Sequence, residues 1–212
     1  PQGLIDLEKT DVDVINIAPY KFFGVRGVGF AYVSDRAAQL PHQRLLGKVG
    51  GELGLGSVTP GHFAAISEVV DYVCWLGEKF TDAKERRALY EAGMTAIASH
   101  ERALLEVLLD GNDNVKGLRE IDGVTVHLDY EDLSTRDLIV GITLDGIGYE
   151  EAVRLYGEED VVVYERVASS IYSKRMLESF DLTGTIRISP MHCQTVEEIE
   201  TFLNVTEKII SK

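Results

Sequence analysis

The stretch Val12-Asp13-Val14-Ile15-Asn16-Ile17-Ala18-Pro19-Tyr20-Lys21-Phe22-Phe23-Gly24-Val25-Arg26-Gly27-Val28-Gly29-Phe30-Ala31-Tyr32-Val33 sets the reading of the whole chain. Residues 12–17 alternate and are β-branched, which predicts a strand. Pro19 has no amide hydrogen and stops the ladder. Residues 22–27 then form a turn, and 28–33 predict a second strand. A lysine at the head of a loop between two strands is held between rigid elements. The glycines 24, 27 and 29 superficially suggest a nucleotide loop, but that motif needs a preceding strand and a helix opening on the glycines. Here they run into a strand, so a tight connection is the expected role.

Outward from this stretch, the pattern continues. Gly47, Gly50, Gly51, Gly54, Gly56 and Gly61 crowd residues 34–61, too many for a helix interior. A helix is expected over about 62–77, with Ala64, Ala65, Val69, Val73 and Leu76 at buried-face spacing. A second runs over about 82–109, with Leu89, Met94, Ile97, Ala98, Leu104, Leu105 and Leu108 apolar. Residues 123–128, 138–144, 161–164 and 185–189 predict strands, and 149–156 a helix. Thr195-Val196-Glu197-Glu198 is a capping box that opens a final helix. A composition shift near 78–87 suggests two domains, 1–80 and 81–212.

The chain has 212 residues and a formal net charge of −14. Such a surface repels phosphate backbones, so no nucleic-acid partner is expected. No apolar run approaches the roughly 18–20 residues that span a bilayer, so no membrane partner is expected either. Two cysteines are too few for a disulfide scaffold and point to a reducing, cytoplasmic compartment. The chain starts at Pro1 and is expected to be a piece of something longer.

Lys21 lies among Tyr20, Phe22 and Phe23. Aromatic neighbours that desolvate an ammonium lower its pKa and make the amine nucleophilic, as Schiff-base chemistry requires. The competing reading is an aliphatic stem packed on rings with its ammonium in water. Arg187, between Ile186 and Ile188, faces either solvent or a site, where its fork suits a substrate carboxylate. The five histidines show no metal-ligand spacing. Cys74 falls on an apolar helix face, and Cys193 is a reactive-thiol candidate beside His192.

These residues resemble the lysine loop of class V aminotransferases, fold-type I pyridoxal phosphate (PLP) enzymes that include cysteine desulfurases, selenocysteine lyases, kynureninases and isopenicillin epimerases. The likeness continues through Gly56-Ser57-Val58-Thr59-Pro60-Gly61-His62-Phe63, through the helix of Val69 to Gly77, and through Thr185-Ile186-Arg187-Ile188-Ser189-Pro190 to Ile199. It is nearest to the cysteine desulfurase-like subgroup with Pro-Tyr-Lys at the loop.

The resemblance implies an α/β fold: the C-terminal part of a PLP-dependent transferase major domain, with a mostly parallel sheet, followed by a small α+β C-terminal domain. Lys21 would carry the Schiff base with pyridoxal 5'-phosphate and move the proton at the substrate α-carbon. Tyr20 would bind the cofactor phosphate, Thr59 with Ser57 would reach the phosphate of a partner subunit's cofactor, and Arg187 would bind the α-carboxylate of an amino-acid substrate. Two departures stand out. Ala18 replaces a family serine, and the segment Val163 to Met176, where a persulfide cysteine would lie, has none. The ring-nitrogen Asp is implied upstream of Pro1. The chain therefore reads as the C-terminal half of the enzyme, expected to dimerise or to associate with the N-terminal half, and to show little turnover alone. Transamination, lyase and epimerase chemistry all remain open. So does a truncated, non-catalytic dimerisation or binding module, and so does an α+β domain whose Lys21 is structural.

Overall fold

The computed structural model describes residues 4–48, 53–57 and 59–211; Pro1, Gly50, Gly51 and Val58, used above, lie outside them. The chain divides into two compact units, Pro1–Ile97 and Ala98–Lys212. The division falls inside a long helix, whereas the sequence boundary precedes that helix.

In the first unit, strand β1 (Val14–Ile17) pairs antiparallel with β2 (Phe30–Val33), with Ile17 opposite Phe30 and Val14 opposite Val33. The expectation of a mostly parallel sheet does not extend to this pair, because the chain reverses over a single loop. Between the strands, Pro19–Phe22 form one turn of 3-10 helix with proline at its start, where a missing amide costs nothing. A short helix α1 (Asp35–Ala38), not anticipated from sequence, follows β2. Its cap is Ser34, whose hydroxyl accepts from the Ala37 amide at 3.1 Å.

Helix α2 (Pro60–Gly77) and the first half of α3 (Arg86–Asp110) supply this unit's core of Val73, Met94 and Ile97, with Tyr72, Leu76 and Tyr90 packed on it. The helices meet at two glycines. A Cβ on Gly77 would lie 1.9 Å from the Leu89 carbonyl oxygen, and one on Gly93 2.0 Å from that of Val73. Cys74 is buried on the expected face, but Ala64 and Ala98 are exposed, since the helical stripe is narrower than the spacing suggested.

The second unit is a four-stranded antiparallel sheet in the order β3-β4-β6-β5, built from β3 (Val124–His127), β4 (Val140–Leu144), β5 (Tyr164–Val167) and β6 (Gly184–Ile188). Helices α4 (Tyr149–Glu158), α5 (Lys174–Glu178) and α6 (Val196–Ile210) complete it. The strand expected over 161–164 begins where that run ends. Val163 is buried, but the ladder with β6 runs from Tyr164 opposite Arg187 to Val167 opposite Gly184.

Alternation makes the sheet two-sided. Val140, Ile142, Leu144, Ile186 and Ile188 point into one core with Leu104, Leu108, Tyr156, Phe202 and Leu203. The opposite face carries Thr125, His127, Gly141, Thr143, Thr185, Arg187, Tyr164 and Arg166, as the register requires. The Thr195 capping box forms as anticipated: its hydroxyl accepts from the Glu198 amide, and the Glu198 carboxylate accepts from the Thr195 amide at 2.8 Å.

Candidate active site

The lysine loop is tied to itself by backbone bonds. The Lys21 amide donates to the Ala18 carbonyl at 3.0 Å, and the Gly24 amide to the Pro19 carbonyl at 2.9 Å. Phe23 adopts φ 69, a left-handed conformation that costs an L-residue about 1–2 kcal/mol. Its ring packs edge-on against Tyr72 of α2 at 6.4 Å, and Phe30 packs against Phe63 of α2 at 6.2 Å. Aromatic contacts therefore hold the loop against α2.

Lys21 is exposed, and so are Tyr20 and Phe23. The aromatic neighbours therefore do not bury the Lys21 side chain. The Tyr20 ring has the Lys21 ammonium 5.9 Å from its centroid and the Arg26 guanidinium at 5.1 Å. Among the described residues, Lys21 makes no ion pair. Thr59 sits at the N-cap of α2, yet its hydroxyl makes no cap hydrogen bond, and it is exposed, as is Ser57. Lysine amine, tyrosine phenol and two hydroxyls are thus unspent. That donor set fits PLP: the amine would hold the aldehyde, and the hydroxyls a phosphate.

Arg187 is half-buried in the second unit, in a row across the sheet. His127 stands opposite Gly141, Gly141 opposite Arg187, and Arg187 opposite Tyr164. Burial, and then the nearby Arg166 cation, push the Arg187 guanidinium below its ordinary value. Its Nε is buried without a hydrogen-bond partner. A cavity of about 450 Å³ on this face is lined by His127, Arg136, Arg166 and Arg187 with apolar walls including Met176 and Phe180.

A second cavity, of about 770 Å³, lies past the end of β6 and is lined by Arg187, Pro190, Cys193 and Glu198 among others. Cys193 is exposed there, unpaired with Cys74. Among the described residues no cluster of three or more metal-ligating side chains occurs.

Sequence reasoning missed Arg136 and Arg166 as site residues. Arg136 lies in the loop between β3 and β4, where no periodicity applies. Arg166 was lost with the misplaced bounds of β5; alternation from Tyr164 through Arg166 would have found it.

The chain belongs to the aminotransferase class-V family, whose model matches residues 1–202. It is 24% identical over 214 aligned residues to the probable cysteine desulfurase 1 of Mycobacterium leprae (strain TN), covering 99% of this chain and 32% of that protein. Its fold resembles the cysteine desulfurase CsdA of Escherichia coli, with TM-score 0.70 and 15% identity over 97% of this chain and 48% of the other. It likewise resembles the apo cysteine desulfurase of Thermococcus onnurineus NA1, with TM-score 0.71 and 15% identity at the same coverage. The chain thus spans about a third of the curated relative it matches and about half of these solved structures. Its fold is that of part of a fold-type I PLP enzyme, and PLP is the cofactor of this family.

Proposed function

We propose that this chain carries the lysine-bearing and substrate-anchoring residues of a PLP-dependent class V enzyme acting on an amino acid. The observation that carries the reading is Lys21 itself. It stands exposed and unpaired at the head of a loop held against α2, within the residues matched by the family model.

When bound, PLP supplies an electron sink for charge developing at the substrate α-carbon. The residues here supply position and protons. The Lys21 amine would hold the cofactor's aldehyde and would move the proton at the substrate α-carbon. Tyr20 would donate its hydroxyl to the cofactor phosphate, and Thr59 with Ser57 would reach the phosphate of a partner subunit's cofactor. Arg187 fixes the α-carboxylate through its two-pronged guanidinium. No cysteine lies between Val163 and Met176, so this segment lacks the thiol that desulfuration by a persulfide would use. The exposed Cys193 borders Arg187's second cavity instead, and transamination or another lyase or epimerase reaction fits the residues equally well.

Phe23, Phe63, Trp75 and Phe80 are exposed in the first unit. That much apolar surface supports cover by another polypeptide surface, a second subunit or the remaining portion of a longer enzyme. No helix among the described residues is long and apolar enough to cross a membrane. With two free thiols, a cytoplasmic setting is the proposed location.

The test is chemical. The chain is incubated with PLP, reduced with borohydride and digested. The expected result is a pyridoxyl group on the Lys21 peptide by mass spectrometry, absent in Lys21→Ala. Uniform labelling across the lysines, unchanged in Lys21→Ala, would defeat the reading.

A further inference from the structure

The polar face of the four-stranded sheet holds more positive charge than one carboxylate needs. Arg187 and Arg166 project from neighbouring strands on the same side. Arg166 pairs with Thr185, and Arg187 lies two residues further along β6, so the two arginines are diagonal neighbours, with backbones about 7–8 Å apart. Arg136 approaches from the loop after β3. Its position is fixed by donation to two backbone carbonyls, those of Leu128 and, at 3.3 Å, of His127. Its Nε and that of Arg187 are buried without partners, as is Nε2 of His127.

No carboxylate lines the cavity these residues share. Asp129, whose charge acts on Arg136, is committed to Arg119 through both of its oxygens at 3.0 Å. Neither guanidinium, of Arg166 or of Arg187, has a hydrogen bond or ion pair among the described residues. In a chain of net charge −14, three uncompensated arginines in one apolar-walled cavity of about 450 Å³ are a local reversal of sign. Like charges held together at part burial are unfavourable unless an anion joins them.

We propose that this cavity binds an amino acid with a second acid group at its side-chain end, a dicarboxylic amino acid. This rests on the reading of Arg187 as the α-carboxylate anchor. Arg166, the diagonal neighbour of Arg187, takes the distal carboxylate, Arg136 adds positive charge from the β3 side of the same cavity, and the apolar wall of Met176 and Phe180 covers the methylene chain between the two acids. Gly141 keeps the middle of the row open. Two separated cations select length as well as charge, because one acid can satisfy only one of them.

The test needs no cofactor, and so is independent of Lys21. Glutarate and butyrate, a diacid and a monoacid of similar size, are titrated into the full chain by calorimetry. Glutarate is expected to bind at least about tenfold more tightly, as a second charge-assisted contact implies. Arg166→Gln should reduce glutarate affinity to the butyrate level, and Arg166→Lys should restore part of the difference. Equal affinities for the two acids in the parent chain would overturn the proposal. So would an Arg166→Gln variant that keeps its unfolding midpoint and its preference for glutarate. Should PLP fail to label Lys21 while glutarate still binds selectively, the cofactor reading falls and the diacid site stands. Labelling of Lys21 with no glutarate preference gives the reverse.

Discussion

Arg187 stands directly opposite Gly141 across β6 and β4, and Gly141 stands opposite His127 across β4 and β3. The residue between the guanidinium and the imidazole therefore has no side chain. A Cβ placed there would come within 3.1 Å of the Thr185 hydroxyl oxygen and 4.0 Å of the His127 Cβ. The Thr185 hydroxyl cannot easily retreat, since it donates to the Ile142 carbonyl at 2.9 Å. Gly141→Val should fill the cavity floor, weaken glutarate binding about tenfold, and cost about 1–3 kcal/mol by overpacking. Calorimetry and a denaturant midpoint measure the two effects. Unchanged glutarate affinity would mean that the row is not part of the cavity floor.

The contact of α2 with α3 at Gly77 and Gly93 should be the most sensitive point of the first unit. Each added Cβ meets a backbone carbonyl oxygen at or under 2.0 Å, and backbone cannot rotate away as a side chain can. Gly93→Ala should therefore cost about 3 kcal/mol or more, against a usual gain from removing a helical glycine of about 1 kcal/mol. Thermal unfolding monitored by Trp75 fluorescence reads this unit directly. A stabilised Gly93→Ala variant would show that the helices do not approach this closely.

Buried Tyr156 carries a pH dependence. Its hydroxyl donates to the Thr206 hydroxyl at 2.8 Å, which in turn donates to the Phe202 carbonyl at 2.8 Å. Burial raises the phenol to about 12, with the Thr206 bond opposing in part. An acid whose pKa is higher folded than unfolded holds its proton better in the native state. Its contribution is complete below pH about 10 and is lost as pH rises toward 12, amounting to about 2–3 kcal/mol. Tyr156→Phe should lose about 1 kcal/mol at neutral pH with its hydrogen bond, and should show a shallower fall between pH 10 and 12. Denaturation at pH 9 and 11.5 tests both slopes.

Arg119 joins two segments: it bonds Asp110 at the end of α3 at 2.7 Å, and Asp129 and the Tyr130 carbonyl after β3. The two carboxylates hold its guanidinium above the ordinary arginine range. Arg119→Ala should destabilise by about 1–3 kcal/mol and free Asp129 to approach Arg136. Arg119→Lys should recover little, because one ammonium cannot replace a planar fork. A double-mutant cycle with Asp129→Asn, read by denaturant unfolding, should give a coupling energy well above zero; strict additivity would contradict the pairing.

Much of this was legible before the fold. The β-branched alternation of 12–17 and 138–144, the capping box at Thr195 and the breaks at Pro19 and Pro190 all report local physics, and they place the elements to within a few residues. What local physics omits went unread. Tyr164 through Val167 became a strand because β6 offers partners there, not because the segment is the most β-prone; Val161–Val163 is more so. The 3-10 turn at Pro19 and helices α1 and α5 are too short for periodicity to show. Lys21 and Arg187, each in its own unit, stood out as candidates through neighbouring motifs. Arg136 comes from a loop and Arg166 from an edge strand; the β5–β6 register sets Arg166 beside Arg187, and Arg136 joins them only as part of the same cavity lining.

The alternation along β4, β5 and β6 has a practical reach. Odd and even positions answer to different demands: one set sustains the packed interior, the other lines an open cavity. The side chains on that side can drift, or be redesigned, one cross-strand row at a time, while Val140, Ile142, Ile186 and Ile188 go on holding the domain together untouched.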